Sequence, residues 1–550
     1  MAGEKGGVET TKLSSQQGDG LCPGHESYSS TIKGDGPSTT SPTPDDSPGA
    51  LVLDPEALVR TQSGPAYSVF SKGTKRWVVT MIAFSSFVSP MTANIYFPAL
   101  VPIARDMGVS KSLINLTLTT YMILQAIAPT LVGDLADAAG RRPAFIIAFI
   151  IYTFANLGLA LSNNFPALLV LRMVQSAGSS GTLALSFAVI ADVAVSAERG
   201  KYMGIIAASI NIGPALSPVV GGLLSEYLGW RSIFWFCMIY AVAWLIPYTF
   251  TVPETGRNVV GNGSILPRGI NKTLIELIRS HRQRPGEAAE TGQPPKRKLQ
   301  FPNPFNALKV ILEKDLGLLL FYNTMTYLVF ILITATLSTE FSDIYHYSDL
   351  QLGLCYLPYG VGCCVAALVQ GYILDRHYRR VAQKINFTID LKRGDDLRNF
   401  PIEQARIMPV WPILFTGAAA VICYGWVLHA ETHVAGPLVL LFMIGTCVTG
   451  SFSMLNTLVV DLYPQAPATA VAANNLMRCL FGAGGTAMIE SMLGVLGRGW
   501  TFSFWALILV AFSPILWVLM KWGPGWREER RARKTVEKEK RAVTEGVEGS

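Results

Sequence analysis

Charge is scarce in this 550-residue chain: only 15% of residues are Asp, Glu, Lys or Arg, while half are hydrophobic. That balance excludes a soluble globular protein of this size, because the apolar residues also fall in long runs. No G-x-x-x-x-G-K-[ST] occurs, so ATP does not drive this protein directly. No G-x-S-x-G and no nucleophile–base constellation is present, so an enzyme is not expected. Cysteine is sparse, eight in all, and none forms C-x-x-C. Seven fall in apolar segments, where a free thiol acts as a small hydrophobe, so neither disulfides nor metal ligands are expected. His429 and His433 are spaced i, i+4 in His-Ala-Glu-Thr-His, which is not the H-E-x-x-H of a zinc site, and no metal or other cofactor is predicted. The N-terminus lacks a basic region followed by an apolar one, so no cleavable signal peptide is expected.

The apolar runs give twelve candidate spans, each about the length that crosses a bilayer. They cover 77–101, 112–132, 144–162, 166–192, 201–227 and 232–251, then 316–338, 350–374, 408–428, 435–460, 469–496 and 501–520. Before them, residues 1–76 are rich in Gly, Ser, Thr, Pro and Asp and read as a disordered tail. The expected organisation is therefore a tail (1–76), a six-helix bundle (77–252), a polar linker (253–315), a second bundle (316–521) with a basic loop at 375–406, and a basic tail (522–550). Lys72, Lys75 and Arg76 precede the first span. Lys296, Arg297 and Lys298 lie in the linker, and Arg376, Arg379, Arg380, Lys384, Lys392, Arg393 and Arg398 in the 375–406 loop. All fall on one face, with few cations opposite, which predicts that both termini are cytoplasmic. The pI of about 8.9 thus reports topology rather than nucleic-acid binding. The fold class expected is an all-α membrane protein of twelve transmembrane helices in two pseudo-symmetric six-helix bundles, with a site between them near the midplane.

Between the second and third spans stands Gly133-Asp-Leu-Ala-Asp137-Ala-Ala-Gly140-Arg141-Arg142. Read as residues alone it is a tight polar reversal in which Asp137 and Arg141, i and i+4, can pair or cap a helix. It closely resembles the G-x-L-a-D-r-x-G-r-r signature of the major facilitator superfamily, with Ala138 where that family usually carries a base. Arg172-Met-Val-Gln175-Ser-Ala-Gly178 is similar to the superfamily's R-x-x-q-G-x-g motif in helix 4. Gly213-Pro214-Ala-Leu-Ser-Pro218-Val-Val-Gly221-Gly222 resembles the antiporter motif g-x-x-x-G-P-x-x-G-G of helix 5, typical of exporters. Small residues there permit close helix approach, and prolines bend the helix by deleting backbone bonds. Asn94-Ile-Tyr-Phe-Pro-Ala-Leu resembles a segment of the fungal twelve-span drug:proton antiporters. Asp461-Leu-Tyr-Pro, Asn474-Asn475-Leu-Met-Arg478-Cys, Trp230-Arg-Ser-Ile-Phe-Trp-Phe and Pro253-Glu254-Thr resemble the quinidine-resistance and citrate-exporter branch. The resemblance spans 77–527 and implies alternating access. Gly133, Asp137, Gly140 and Arg141 are then expected to hold the cytoplasmic halves together in the outward-open state, with Gly213, Pro214, Pro218, Gly221 and Gly222 at a gate.

Two arginines lie deep in apolar spans, where a charge is costly unless it faces a cavity or a partner. Arg172 and Arg478 are predicted to flank the central cavity, with Gln175, Asn94 and Asn474 adding polar contacts. The structural alternatives are that Arg172 only bonds helix carbonyls or snorkels, and that Arg478 pairs with Asp461 or sits at the cytoplasmic helix end. Asp192, Glu226, Glu340, Asp375 and Asp461 fall near predicted helix ends, and Glu490 alone lies well inside a span. Two guanidiniums suit a carboxylate through bidentate bonds. The expected cargo is thus a small organic anion such as a citrate-like acid. The resemblance implies its export through the plasma membrane by a monomer, with the proton gradient as the expected drive and facilitated, uncoupled efflux as the alternative. A multidrug:proton antiporter for apolar or cationic toxins is the alternative, and a non-transporting receptor or sensor on the same scaffold a remote one.

Overall fold

The computed structural model describes residues 68–194, 196–265, 267, 269–273, 305–386, 400–463 and 467–548. Those residues form helices and connecting turns, with no strand among them. The tail expected over 1–76 lies outside the described residues up to position 67, as do the Lys296–Lys298 cluster and the stretch holding Lys392, Arg393 and Arg398.

The first half contains α1 (Lys72–Asn94), α2 (Lys111–Ala139), α3 (Arg141–Leu161), α4 (Phe165–Val193), α5 (Ser196–Leu228) and α6 (Arg231–Thr251). Start signals are local: Ser71, Ser110 and Asn164 each accept a backbone N–H from three residues on, satisfying a donor that the helix itself leaves open. After α1 the chain breaks at Asn94-Ile-Tyr-Phe-Pro because Pro98 has no N–H to donate. It makes one tight turn (Phe97–Ala99) and a short helix, Leu100–Asp106.

The second half contains α7 (Lys314–Tyr345), α8 (Leu357–Lys384, preceded by the short helix Asp349–Cys355), α9 (Val410–His429, preceded by Ile402–Ile407) and α10 (Ala435–Leu462). It closes with α11 (Pro467–Ala511) and α12 (Pro514–Glu548). Among the described residues eleven apolar segments are long enough to cross a membrane, and the last runs 65 residues, 469–533. A single helix of that length would reach about 100 Å, three times a bilayer. It instead breaks at Gly497 (φ 72°, ψ 170°), a left-handed backbone that glycine adopts without a Cβ clash. The chain reverses there, making twelve crossings.

Several expected boundaries shift. The basic segment expected as a loop from 375 is helical through Lys384, so Arg376, Arg379 and Arg380 lie on the last turns of α8. The C-terminal tail continues as helix to Glu548. The linker carries short helical turns at Arg257–Val260 and Phe305–Ile311. An apolar pattern reports only the lipid-facing part of a helix, and capping carries it onward into water.

With twelve crossings, both ends of the described chain lie on one face, the terminal face. The two halves are tied together toward the opposite face. There Lys111 pairs with Asp343, Ser225 Oγ donates to Asp349 (2.5 Å), and Asn115 donates to Glu490 (3.1 Å). Phe97 stacks flat on Tyr356 at 5.9 Å. The antiporter-motif glycines make this fit possible: a Cβ on Gly221 would strike the Ile95 carbonyl oxygen, and one on Gly222 the Asp349 carbonyl oxygen. Among the described residues the polar ties reach only to mid-depth, at Asn475 Nδ2 to the Gln125 carbonyl (2.9 Å) and Cys364 Sγ to the Asn211 carbonyl (3.6 Å). On the same helices a Cβ on Gly133, Gly204 or Gly371 would meet nothing within 4 Å.

Candidate functional site

The Gly133–Arg142 turn is positioned by its own chemistry. Gly140 takes φ 113°, and a side chain there would overlap the Glu254 carboxylate. That carboxylate closes the start of α3, accepting from the backbone N–H groups of Arg141 (2.8 Å), Arg142 (3.0 Å), Thr255 (2.9 Å) and Gly256 (2.7 Å). Burial raises the Glu254 carboxyl above the ordinary carboxylate range, opposed by those donors. Arg141 pairs with Asp137 (2.7 Å) and Asp192 (2.9 Å). Arg142, itself buried, caps carbonyls of Thr249, Val252 and Ile270. All of these partners belong to the first bundle or to the start of the linker behind it, so among the described residues the turn braces that bundle in this conformation. The second half repeats the device: Arg406 at the start of the 402–429 segment pairs with Asp461 at the end of α10 (2.9 Å), as Arg141 does with Asp192. That bond disposes of the alternative pairing of Asp461 with Arg478.

Arg172 sits two turns into α4 and is 1% exposed. It lies where α3 and α4 pack closely: a Cβ on Gly178 would come within 2.7 Å of the Tyr152 backbone nitrogen, so only glycine lets α3 lie this near. The Arg172 Nη1 donates to Gln175 Oε1 (2.5 Å), Gln175 donates to Asn156 Oδ1 (2.6 Å), and Asn156 donates to the Tyr152 carbonyl (2.7 Å). The guanidinium lies between two rings, Tyr96 at 4.1 Å and Tyr121 at 4.4 Å. The break at Pro98 delivers Tyr96, whose hydroxyl accepts from Thr117 (3.0 Å). Tyr121 comes from mid-α2 and shares a hydrogen bond with Ser179 (3.2 Å). Nε and Nη2 of Arg172 are buried without an acceptor, and no carboxylate pairs with it among the described residues. The cation is thus held by ring faces and one neutral amide.

Arg478 is half-buried on α11. Its Nε (3.1 Å) and Nη2 (2.9 Å) both donate to Asn475 Oδ1, and the Tyr327 ring lies 5.1 Å from the guanidinium carbon. Asn475 in turn donates to Gln125 on α2, tying Arg478 to the seam between halves. Again no carboxylate pairs with the arginine among the described residues.

The other predicted residues are placed apart from these. Asn474 bridges two amides, accepting from Asn323 (3.1 Å) and donating to Asn456 (3.0 Å) within the second half. Asn94 donates its side-chain amide to the Pro90 carbonyl one turn back (2.7 Å), within its own helix. Gly213 meets Pro90 of α1, with a Cβ there 2.7 Å from the proline ring. Pro214 and Pro218 lie inside α5, and the Pro218 carbonyl faces Gly353. Tyr121, Tyr327 and Asn156 are not singled out by the sequence, since a tyrosine in an apolar span is ordinary until a cation is found over its face. Glu490 and Glu340 line a cavity of about 340 Å³ at the opposite face, with Asp343, His429 and Arg498.

Comparison with known proteins agrees with this architecture. The family model described as Major Facilitator Superfamily matches residues 82–486. The chain is 40% identical over 481 residues to the MFS-type transporter phiD of Fungal sp. (strain ATCC 74256), covering 87% of this chain and 73% of that one. It is 37% identical over 508 residues to Citrate exporter 1 of Aspergillus niger, covering 90% and 95%. Among solved structures, the D-xylose-proton symporter superposes with TM-score 0.59 at 15% identity, over 80% of this chain and 96% of that one. The human organic anion transporter MFSD10 (TETRAN) superposes with TM-score 0.51 at 18% identity, over 80% and 99%. At those identities the structural matches speak for the fold.

Proposed function

The chain belongs to the Major Facilitator Superfamily, and from that premise we propose that it exports a small organic anion of the di- or tricarboxylate class across the plasma membrane by alternating access. The observation that carries this reading is the state of Arg172: a buried guanidinium with two unused nitrogen donors and no acid beside it. Burying a charge without a partner costs several kcal/mol, so a cation kept this way fits a site that an anion completes. Arg478, half-buried and held by an amide oxygen and the Tyr327 ring, is the second cation. An acid bridging them would form the charge-assisted bonds that neither arginine makes now. Likeness to a protein named as a citrate exporter supports the same class of cargo.

Access follows from Tyr121, which covers Arg172 from α2, the helix that also forms the seam with α11 through Thr119, Met122 and Gln125. The Tyr96 and Tyr121 rings both belong to the same half as Arg172, so rocking of the halves opens the seam beside α2, and a swing of the Tyr121 ring within the first bundle then uncovers the guanidinium. With the N-terminus placed in the cytosol, the present state is closed outside and open inside, poised to load cargo. The carrier acts as a monomer of a tail, two bundles (77–252 and 316–521) and a linker, and protons returning through it supply the drive.

An aromatic cluster favours a second reading. Tyr327, Phe330, Tyr359 and Phe452 approach one another at 5.5–5.6 Å between ring centres, a surface suited to apolar or cationic toxins. One experiment separates the two: expression in a transport-deficient host, with extracellular metabolites compared against empty vector and against Arg172→Ala and Arg478→Ala. Release of citrate or a related acid, lost in both variants, supports the anion reading. Resistance to cationic drugs that survives both substitutions, with no acid released, supports the multidrug reading instead.

A further inference from the structure

Glu490 stands on the wall of the opposite-face cavity, where acids outnumber bases. Glu340 and Asp343 reach it from α7 and Glu490 from α11, while Glu431 of the 429–434 turn pairs with Arg498 on its wall. The cations are already engaged: Arg498 with Glu340 (2.5 Å) and Glu431 (3.1 Å), and Lys111 of α2 with Asp343. His429 completes the charged and titratable groups that line this space. Glu490 is left with a neutral partner across the seam, Asn115 Nδ2, which donates to its Oε1 at 3.1 Å. The Asn115 side chain is 1% exposed, and its own oxygen, Oδ1, is buried with no donor. An unmet buried acceptor beside a carboxylate is costly. A single proton resolves both faults, because a carboxylic acid and a carboxamide satisfy each other with two antiparallel hydrogen bonds.

We propose that the Asn115–Glu490 contact is a proton-operated latch: the opposite face closes when Glu490 takes up a proton from the aqueous phase on that side and opens when it gives it back. On closing, the Glu490 O–H donates to Asn115 Oδ1 while Asn115 Nδ2 donates to the other carboxyl oxygen, so the α2–α11 seam gains one bond and loses one charge. On opening, water hydrates the bared carboxylate, and repulsion from Glu340 and Asp343 keeps the seam apart. External acidity thereby returns the carrier to the loading state. The inference rests on the alternating-access reading and adds to it the residue that senses the proton.

The test uses the full chain in nanodiscs, with exposed native cysteines replaced and spin labels on Asn163→Cys and His433→Cys, one on each half at this face. The wild type is expected to move from an open to a closed distance population, severalfold, as the medium goes from neutral to acidic. Glu490→Gln, whose amide makes both bonds without a proton, is expected to stay closed throughout. Asn115→Leu is expected to lose the dependence and favour the open population. Infrared difference spectra supply a second readout: a protonated-carboxyl C=O band present in the acidic wild type and missing in Glu490→Gln. If the distance responds to cargo but not to pH, or if Glu490→Gln follows the wild-type pH profile, the latch is overturned while alternating access stands. If the distance responds to nothing, alternating access itself fails and the latch with it.

Discussion

The two halves each bury one arginine at the heart of a helix bundle, and they hold it differently. Arg172 in the first half is sealed between the faces of Tyr96 and Tyr121, with two nitrogen donors idle. Arg478 in the second is half open, and one amide oxygen takes two of its donors. At the terminal face the pattern inverts. There Arg141, Arg406, Arg527 and Arg530 all meet acids, namely Asp192, Asp461, Glu403 and Asp315. These four are neutralised by acids and Arg142 beside them is spent on three backbone carbonyls, whereas the two at the centre meet no acid among the described residues. A cation stabilised by quadrupoles and amides keeps its net charge for something else.

That contrast is broken most severely at Arg172. Arg172→Ala is expected to reduce transport by about a hundredfold, ~3 kcal/mol of lost binding, and Arg172→Lys to restore little, because an ammonium is a point charge without the planar fork that fits two rings and a carboxylate. Initial rates of anion efflux from proteoliposomes check both. Tyr121 sharpens the same comparison: Tyr121→Ala is expected to lose about tenfold from the missing cation–π contact, while Tyr121→Phe, which keeps the ring, stays near wild type. Arg478→Ala is expected to cost about tenfold, ~1.4 kcal/mol, and Arg478→Lys to recover part of it, since its present acceptor is one oxygen that an ammonium can also reach.

How much of this was legible in the chain differs by scale. Twelve crossings, the family and the two deep arginines follow from residues in one dimension, since a bilayer turns length and charge into topology. The Gly221–Gly222 pair predicted close helix approach, and the structure supplies its partners, the Ile95 and Asp349 carbonyls. The double role of the break at Pro98 was not legible. Nothing in Asn94-Ile-Tyr-Phe-Pro says that Tyr96 will lie under an arginine 76 residues later in the chain, while Asn94 spends its amide on Pro90. Asn474 and Asn475 look alike in sequence, and only the helix phase decides that the second faces Arg478 and the first faces Asn323 and Asn456. The signature turn is expected to hold the cytoplasmic halves together in the outward-open state. In the state seen, its bonds run to Glu254 and Asp192 on its own side of the molecule.

Smaller effects are expected where arginines do have acids. Arg141→Ala and Arg406→Ala each break a partly buried pair and are expected to lower stability by about 1–3 kcal/mol, read as a lower melting temperature in detergent. Citrate binding by folded protein should survive Arg406→Ala. The smallest is Gly222→Ala: the added methyl meets the Asp349 carbonyl only when the opposite face is shut, so fold and cargo affinity stay intact while the closed population falls severalfold. Spin-label distances across that face measure it.

The central claim is that two uncompensated arginines make an anion site, and ligand binding to purified protein tests it most directly. Calorimetric titration of wild type, Arg172→Ala and Arg478→Ala with citrate, and with an organic cation of similar size as control, is the measurement. The account predicts saturable citrate binding to the wild type, weakened strongly by Arg172→Ala and less by Arg478→Ala, with no binding of the cation. Saturable cation binding unaffected by either substitution, with citrate inert, would contradict it.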